Sequence, residues 1–506
     1  MLFRIAIIIA CAGLLGGSAL AQATIGGEWR DEIERFAARV VEAGLAPGLG
    51  IAVSQGEWVL YEGGFGVADA ASGRRVSANT PFYVASSTKA LTATAVVLLA
   101  ARGEMELGAP ITRYVPGLRF RPPLDARSVT IGRLLTMTDG IEQKGAVVMR
   151  TAYTGEFTPE LLVELLAGYG PSAEGNAFDY RNLPYNILGL ALDPADGHGW
   201  KDVVDREVLR PLGMSSTSAR LSALEPDRLA MPHALAPLVA GEGWGRIPLA
   251  KADENLHAAG GHFATPRDLI RFVAAHASHG RLEGRRLFPA AAIASMHEAR
   301  VPQSRDFGPF RRTAWGYGWD VAEWRGRTIV QRFGAFSGYR SHMSFEPATG
   351  IGVVVLTNGS GIASPAADLV ATWVYDRLAG RADLEAEYER QLAELQARRD
   401  GWKTGTAAHL RERAARLAPL SRPLEDFAGT YESPELGRIV WLVVAGGLEA
   451  RAGVARSRAE VFDAAGSQLR IEIGGGVVAT FEFPEGGDPA SAVVIQGERF
   501  VRVEPE

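Results

Sequence analysis

The chain has 506 residues, 47% of them hydrophobic, and a formal net charge of -5. That length exceeds one ordinary domain and supplies ample core, while a mildly acidic chain without basic runs offers no electrostatic footprint for nucleic acid. Its one cysteine, Cys11, falls in a leader segment, so thiol catalysis, thiolate metal sites and disulfides are excluded from the mature chain.

Met1 to Arg4, the apolar run Ile5 to Gly17 and Ser18-Ala19-Leu20-Ala21 read as a signal peptide cleaved after about Ala21. The run is too short to span a bilayer and no later run approaches the ~20 residues needed. A secreted or periplasmic protein with no membrane span in its mature form is predicted. The other reading, a lipoprotein anchored at Cys11, has a poor lipobox in Ile8-Ile9-Ala10.

Trp29, Ile33, Phe36, Val40 and Val41 recur at helical spacing over residues 28 to 44. Gly48 to Ser54 and Trp58 to Gly64 alternate as a hairpin turning at Gln55-Gly56. Then comes Pro81-Phe82-Tyr83-Val84-Ala85-Ser86-Ser87-Thr88-Lys89, running into an apolar helix expected to end at Gly103. Ser86 and Lys89 lie three apart at a helix start, so hydroxyl and amine share a face. A serine hydroxyl is a weak nucleophile until a base takes its proton, and a lysine of lowered pKa can be that base. Of Lys89, Lys144, Lys201, Lys251 and Lys403, only Lys89 has a serine three residues before it.

A helix running into a turn is predicted over residues 130 to 140, another helix over 159 to 168, and a polar loop at Phe178-Asp179-Tyr180-Arg181-Asn182 opening onto a further helix. A helix around 201 to 209 ends in the turn Pro211-Leu212-Gly213-Met214, and residues 219 to 258 read as a long loop over one face. Phe263 to Ser278 reads as an amphipathic helix capped at Thr265-Pro266. Thr328 to Gly334, Gly338 to Phe345 and Ile351 to Thr357 form an antiparallel meander, closed by a helix over 364 to 379. The charged stretch from Ala382 to about Leu417 carries Leu384, Tyr388, Leu392 and Leu395 on one stripe and reads as a solvated helical linker. From Phe427 short alternating strands punctuated by glycine pairs indicate a small all-β sandwich or barrel.

A lysine base needs a polar neighbour that orients it and returns the proton. Tyr180 can pass a proton, while Asn182 can hold Lys89 and donate to a substrate carbonyl. The oxyanion needs two N–H donors: one is Ser86 itself, the other is assigned to Ala335 in Arg332-Phe333-Gly334-Ala335, where Gly334 clears space.

Ser86-x-x-Lys89, Tyr180-x-Asn182 and a glycine-bearing final strand, in this order, resemble the serine β-lactamase and penicillin-binding protein superfamily. The similarity points to the branch with class C β-lactamases, D-stereospecific peptidases and family VIII esterases. Leu134-Leu135-Thr136-Met137-Thr138-Asp139-Gly140, Pro211-Leu212-Gly213-Met214 and Ala259-Gly260-Gly261-His262 are similar to further family patterns, and the likeness covers roughly residues 28 to 380. It implies an α/β (α+β) fold, a β-lactamase/transpeptidase-like antiparallel sheet flanked by helices, with a small all-β domain appended. The expected division is 1 to 21 signal peptide, 22 to 380 hydrolase domain, 381 to 420 helical connector and 421 to 506 β domain. It also implies an acyl-enzyme on Ser86 formed from an ester, a β-lactam or a D-amino acid peptide. The appended domain either shapes the active site or binds a partner.

Two departures stand out. Arg332 occupies the place of the family's usual His or Lys, retaining a cation that cannot lose its proton and that is expected to bind a substrate carboxylate. Met137 stands where a histidine is usual. The alternative to an enzyme is a sensor or binding protein using the same pocket without turnover. Lys403-Thr404-Gly405, though it matches the family's last-strand motif, falls in the connector and is rejected. No cofactor and no metal are expected: Gly-x-Ser-x-Gly, His-Glu-x-x-His and P-loop motifs are missing, and His276 with His279 reads as a helix surface pair.

Overall fold

The computed structural model describes residues 27–192, 199–235, 243–249, 251–415, 420, 422–473 and 476–504. The expected signal segment therefore lies outside the described residues.

The first large sheet has nine antiparallel strands: β1 Gly48–Gln55, β2 Trp58–Asp69, β3 Arg74–Arg75, β4 Val301–Phe307, β5 Phe310–Trp315, β6 Asp320–Trp324, β7 Arg327–Phe336, β8 Tyr339–Phe345 and β9 Ile351–Thr357. Their spatial order is β4-β5-β6-β7-β8-β9-β1-β2-β3, so the C-terminal meander closes onto the N-terminal hairpin through β9 and β1. Strand alternation divides β9 between two cores: Val353 and Val355 face one, Val354 and Leu356 the other. All four are fully buried, which is why the strand reads as a continuous apolar run.

On one face lie α1 (Glu28–Glu42), α5 (Ala363–Leu378) and α6 (Leu384–Ala414); on the other lie α2 (Thr88–Ala101), α3 (Leu183–Ala191) and α4 (Pro266–Ala277). α2 is buried from Thr88 to Leu99, all round, as expected of a helix inside a lobe.

Three expectations are corrected. First, α6 is no solvated linker: Leu384, Tyr388, Leu392 and Leu395 are buried against α1 and α5, and the Tyr388 hydroxyl donates to Asp376 at 2.9 Å. Its charges line the outward face, while the stripe docks. Second, Phe263–Ala264 does not begin α4 but pairs with Phe82–Tyr83, and the helix starts at Pro266, where the Thr265 hydroxyl accepts from the Asp268 N–H at 3.1 Å. Third, His276 is not on the surface. It is fully buried, with Nδ1 2.9 Å from His297 Nε2, because α4 turns that face toward Trp319. No group of three potential metal-ligating side chains occurs among the described residues.

The stretch 219 to 258 is less irregular than its composition suggests, with 3₁₀ turns at 221–223, 226–228 and 253–255 and a ribbon pairing His233–Leu235 with Trp244–Arg246. It is strapped to the sheet by Met231 N–H to Ala68 O at 2.7 Å and Tyr339 Oη to Ala230 O at 2.7 Å.

The C-terminal region is a second nine-stranded antiparallel sheet. Its first strand, Gly429–Ser433, pairs with its last, Glu498–Val503, and its two edge strands, Ala455–Arg458 and Glu460–Asp463, follow one another in the chain, so the sheet curls into a nearly closed barrel. It docks on residues 144–156: Lys144 Nζ lies 2.9 Å from Glu435 Oε1, Arg150 donates to the carbonyls of Glu435 and Pro434, and the Val454 N–H reaches Thr154 O at 2.8 Å. Among the described residues no helix is long and apolar enough to cross a membrane.

Candidate active site

The segment before α2 sets Ser86 in place. Val84 N–H is held by His262 O at 3.0 Å, Ala85 takes φ +45°, and Ala85–Ser87 form a 3₁₀ turn that passes directly into α2. A left-handed alanine costs about 1 kcal/mol, and here it turns the chain sharply between the Phe82–Tyr83 strand and the helix. Ser86 stays half-exposed while Ser87, Thr88 and Lys89 are fully buried.

The turn packs against the free end of β7. β6 pairs with β7 only as far as Gln331, so residues 332 to 336 run on without a β6 neighbour, and the 84–87 turn fills that edge. Ser341 Oγ donates to Val84 O at 2.8 Å, and Ser87 Oγ lies 2.8 Å from Ser341 Oγ. Gly334 makes this approach feasible: a Cβ there would lie 1.9 Å from Val84 O and 2.6 Å from Ser341 Oγ. The space Gly334 clears is thus taken by the chain's own backbone, not by a ligand. Because the nearest atom is backbone, Gly334→Ala must push β7 off the turn. The expected result is a loss of about 1–3 kcal/mol in stability with a fall of about 100-fold in turnover, measured by thermal melting and ester hydrolysis.

Lys89 Nζ lies 3.3 Å from Ser86 Oγ, 2.6 Å from Asn182 Oδ1 and 2.8 Å from Ala259 O. All three neighbours are oxygen atoms, and among the described residues no carboxylate pairs with the amine. Burial, aided by the Arg332 charge and partly opposed by Tyr180, brings the ammonium down to about 8. Tyr180 sits with its ring 5.1 Å from Lys89 Nζ. Burial alone would raise its phenol, but Arg332, Lys89 and a hydrogen bond with Ser86 outweigh it and lower the group to about 8.

Arg332 differs from expectation. It is 2% exposed, and every face of its guanidinium is engaged: Nε donates to Ser86 O at 3.1 Å, Nη1 to Asp320 Oδ2 at 3.1 Å, and Nη2 to the Tyr180 hydroxyl. Three of its five N–H donors are thus spent inside the protein, and at this burial it is not the open cation the sequence suggests. Its fork instead ties the Ser86 turn, β6 and Tyr180 together.

The 134–140 turn anchors the Tyr180 loop. Asp139 receives Arg181 Nη2 at 2.9 and 3.0 Å on its two oxygens, both groups buried, and Asp179 N–H reaches Met137 O at 3.2 Å. Met137 itself takes φ +53° and its sulfur accepts from Arg181 N–H at 3.4 Å, so the residue in the histidine's usual place has a packing role. Ser86, Lys89, Tyr180, Asn182 and Arg332 are thus brought together. Ala335 is exposed on the β7 edge, opposite Arg340 of β8. Lys403-Thr404-Gly405 lies within α6, part of no such cluster.

Sequence reasoning missed Asp320, Asp139, Arg181 and the Ala259 carbonyl. The one available signal was Arg181 itself, a cation between two site residues that demands a partner once buried.

Residues 33–377 match the family model described as Beta-lactamase. Over 337 residues the chain is 30% identical to "Penicillin-binding protein 4" of Amycolatopsis lactamdurans, covering 65% of this chain and 85% of that protein. Over 206 residues it is 35% identical to "Esterase EstB" of Burkholderia gladioli, covering 38% of this chain and 51% of the esterase. In fold it is similar to the octameric penicillin-binding protein homologue from Pyrococcus abyssi, with a TM-score of 0.59 at 20% identity, over 93% of this chain and 99% of the other.

Proposed function

The chain belongs to the Beta-lactamase family, a family with hydrolases among its members, and on that premise we propose that it is a serine hydrolase working through an acyl-enzyme on Ser86. The observation that carries this is the Lys89–Tyr180 pair, a buried amine beside a partly buried phenol, both groups drawn to about 8 around a partly exposed serine. Ser86 Oγ attacks the carbonyl carbon and the Lys89–Tyr180 pair takes its proton. Asn182 holds the amine, and the N–H groups of Ser86 and Ala335 receive the developing oxyanion. Tyr180 then protonates the leaving group, and the pair activates water to release the acyl product.

Arg332 favours this reading over a silent binding protein. Besides tying the Ser86 turn to β6, a cation bonded to the Tyr180 hydroxyl lowers its pKa, and that effect serves a proton acceptor rather than a pocket that only binds. The substrate is an ester, a β-lactam or a D-amino acid peptide, in keeping with the relatives' esterase and penicillin-binding names, and export to the periplasm or medium suits each. A panel of p-nitrophenyl esters, a chromogenic cephalosporin and a D-alanyl peptide ranks the three. Failure of the wild-type chain on all of them contradicts the proposal.

The pH profile follows from the pair. Because one proton must leave it before Ser86 can be activated, kcat/KM on a neutral ester should fall about tenfold per unit below an apparent value near 8 and level above it. A limb near 6.5, or a flat profile from pH 6 to 9, would place the base elsewhere.

A further inference from the structure

A second amine stands beside the site, and among the described residues no charged group pairs with it. Lys251 Nζ donates to Ala152 O at 2.8 Å and lies 4.0 Å from the Phe336 ring and 4.6 Å from the Tyr83 ring. The Tyr153 ring lies against Phe336 in a tilted arrangement, 4.9 Å between centroids. Phe336 directly follows Ala335, and Tyr83 precedes Ser86 by one turn of chain. The amine is therefore half-buried in an aromatic wall at the end of β7, and no carboxylate pairs with it among the described residues. Of its three ammonium hydrogens, one has an acceptor.

The direction of the substrate gives this cation a meaning. The leaving group must depart toward Tyr180, which Arg332 holds at the start of the free β7 edge. The acyl part then extends the opposite way, past Ala335 to Phe336. Resting on the hydrolase reading above, we propose that Lys251 is a specificity-determining residue that selects substrates whose acyl part ends in a carboxylate.

The surroundings suit that role. The titratable groups facing Lys251 are Tyr83 from the strand before Ser86, Tyr153 from the 149–154 segment and His257 from its own loop. Burial keeps both phenols protonated, and burial together with the Lys251 and Lys89 charges keeps His257 neutral. Asp253, nearby in sequence, is turned to Ser222, whose N–H it accepts at 3.1 Å. Burial brings the Lys251 ammonium down to about 7, so its charge is least costly to keep when an anion arrives to pair with it.

The test uses the full chain as wild type, K251M and K251R, with p-nitrophenyl pentanoate against the mono-p-nitrophenyl ester of glutaric acid. The glutarate ester should lose about 30-fold in kcat/KM in K251M, mostly through KM, while the pentanoate changes less than about threefold and K251R restores most of the preference. In wild type the glutarate-to-pentanoate ratio should fall as pH rises through about 7, and in K251M it should be flat. Equal losses on both esters, or an unchanged ratio, overturn the proposal. Should wild type cleave neither ester, the serine hydrolase reading is decided separately by the chromogenic cephalosporin and the D-alanyl peptide, and titration calorimetry with monomethyl glutarate decides Lys251. About tenfold weaker binding in K251M supports it; equal or undetectable binding to both proteins refutes it.

Discussion

Ser86→Ala should reduce ester turnover by about 10⁴-fold or more and leave the melting temperature within about 2 °C of wild type. The activity loss follows from removing the partly exposed serine hydroxyl that lies 3.3 Å from Lys89 Nζ. The stability follows because that hydroxyl sits at the surface of a turn whose shape is held by other atoms: Val84 N–H on His262 O, Ser341 Oγ on Val84 O and Arg332 Nε on Ser86 O. None of these bonds uses the Ser86 side chain. Steady-state kinetics and thermal melting on the same preparation check both halves. Retained turnover would mean a different nucleophile, and a collapsed melting temperature would mean that Ser86 is structural.

Lys89→Met should lower kcat/KM by about 10³-fold, within the usual reach of a general base, while shifting the melting temperature by no more than about 3 °C. Two effects on stability oppose one another. Removing the amine strips hydrogen bonds from Asn182 Oδ1 and Ala259 O, and each orphaned acceptor costs about 1–3 kcal/mol. Against that, the folded-state pKa of about 8 lies below the value of an unburied lysine. Below 8 both states are charged and the folded one bears the whole cost of a buried cation, a cost that shrinks as pH rises from 8 toward the unfolded value. Methionine fills a similar volume without that cost. A Lys89→Met chain that melts normally yet turns over esters at the wild-type rate would remove the amine from the mechanism.

Much of this site is legible in the sequence because its parts are local. Ser86 and Lys89 lie one helical turn apart, Tyr180 and Asn182 two residues apart, and Arg332 and Gly334 on alternate positions of one strand. The partners that position them are not local. Asp320 reaches Arg332 across two neighbouring strands and Asp139 reaches Arg181 over 42 positions, and nothing in either neighbourhood announces the pairing. For the same reason Arg332 reads as a free cation and Gly334 as room for a ligand, until Asp320, Tyr180 and Val84 are seen to occupy them.

In the fold, the hairpin β1–β2 and the meander β7–β9 carry enough alternation and turn chemistry to be read directly. β4 and β5 do not: at the edge of the sheet and next to it, they expose Arg305, Asp306 and Arg311, and their charged texture is that of a loop. In α6 the charges mask a docking stripe of four buried residues. The C-terminal barrel is legible as β structure from its alternation, whereas its seat on residues 144–156 rests on backbone carbonyls that no sequence displays. That seat includes Thr154, whose carbonyl accepts from the Val454 N–H and which directly follows Tyr153 of the wall that holds Lys251.

The most direct measurement is intact mass after incubation with an alkyl fluorophosphonate, followed by peptide mapping. The account predicts a single phosphonyl adduct on wild type, located on Ser86, formed faster as pH approaches 8, and missing in Ser86→Ala. An adduct that persists in Ser86→Ala, or a wild-type chain that stays unmodified at a pH where the Lys89–Tyr180 pair is deprotonated, would contradict it.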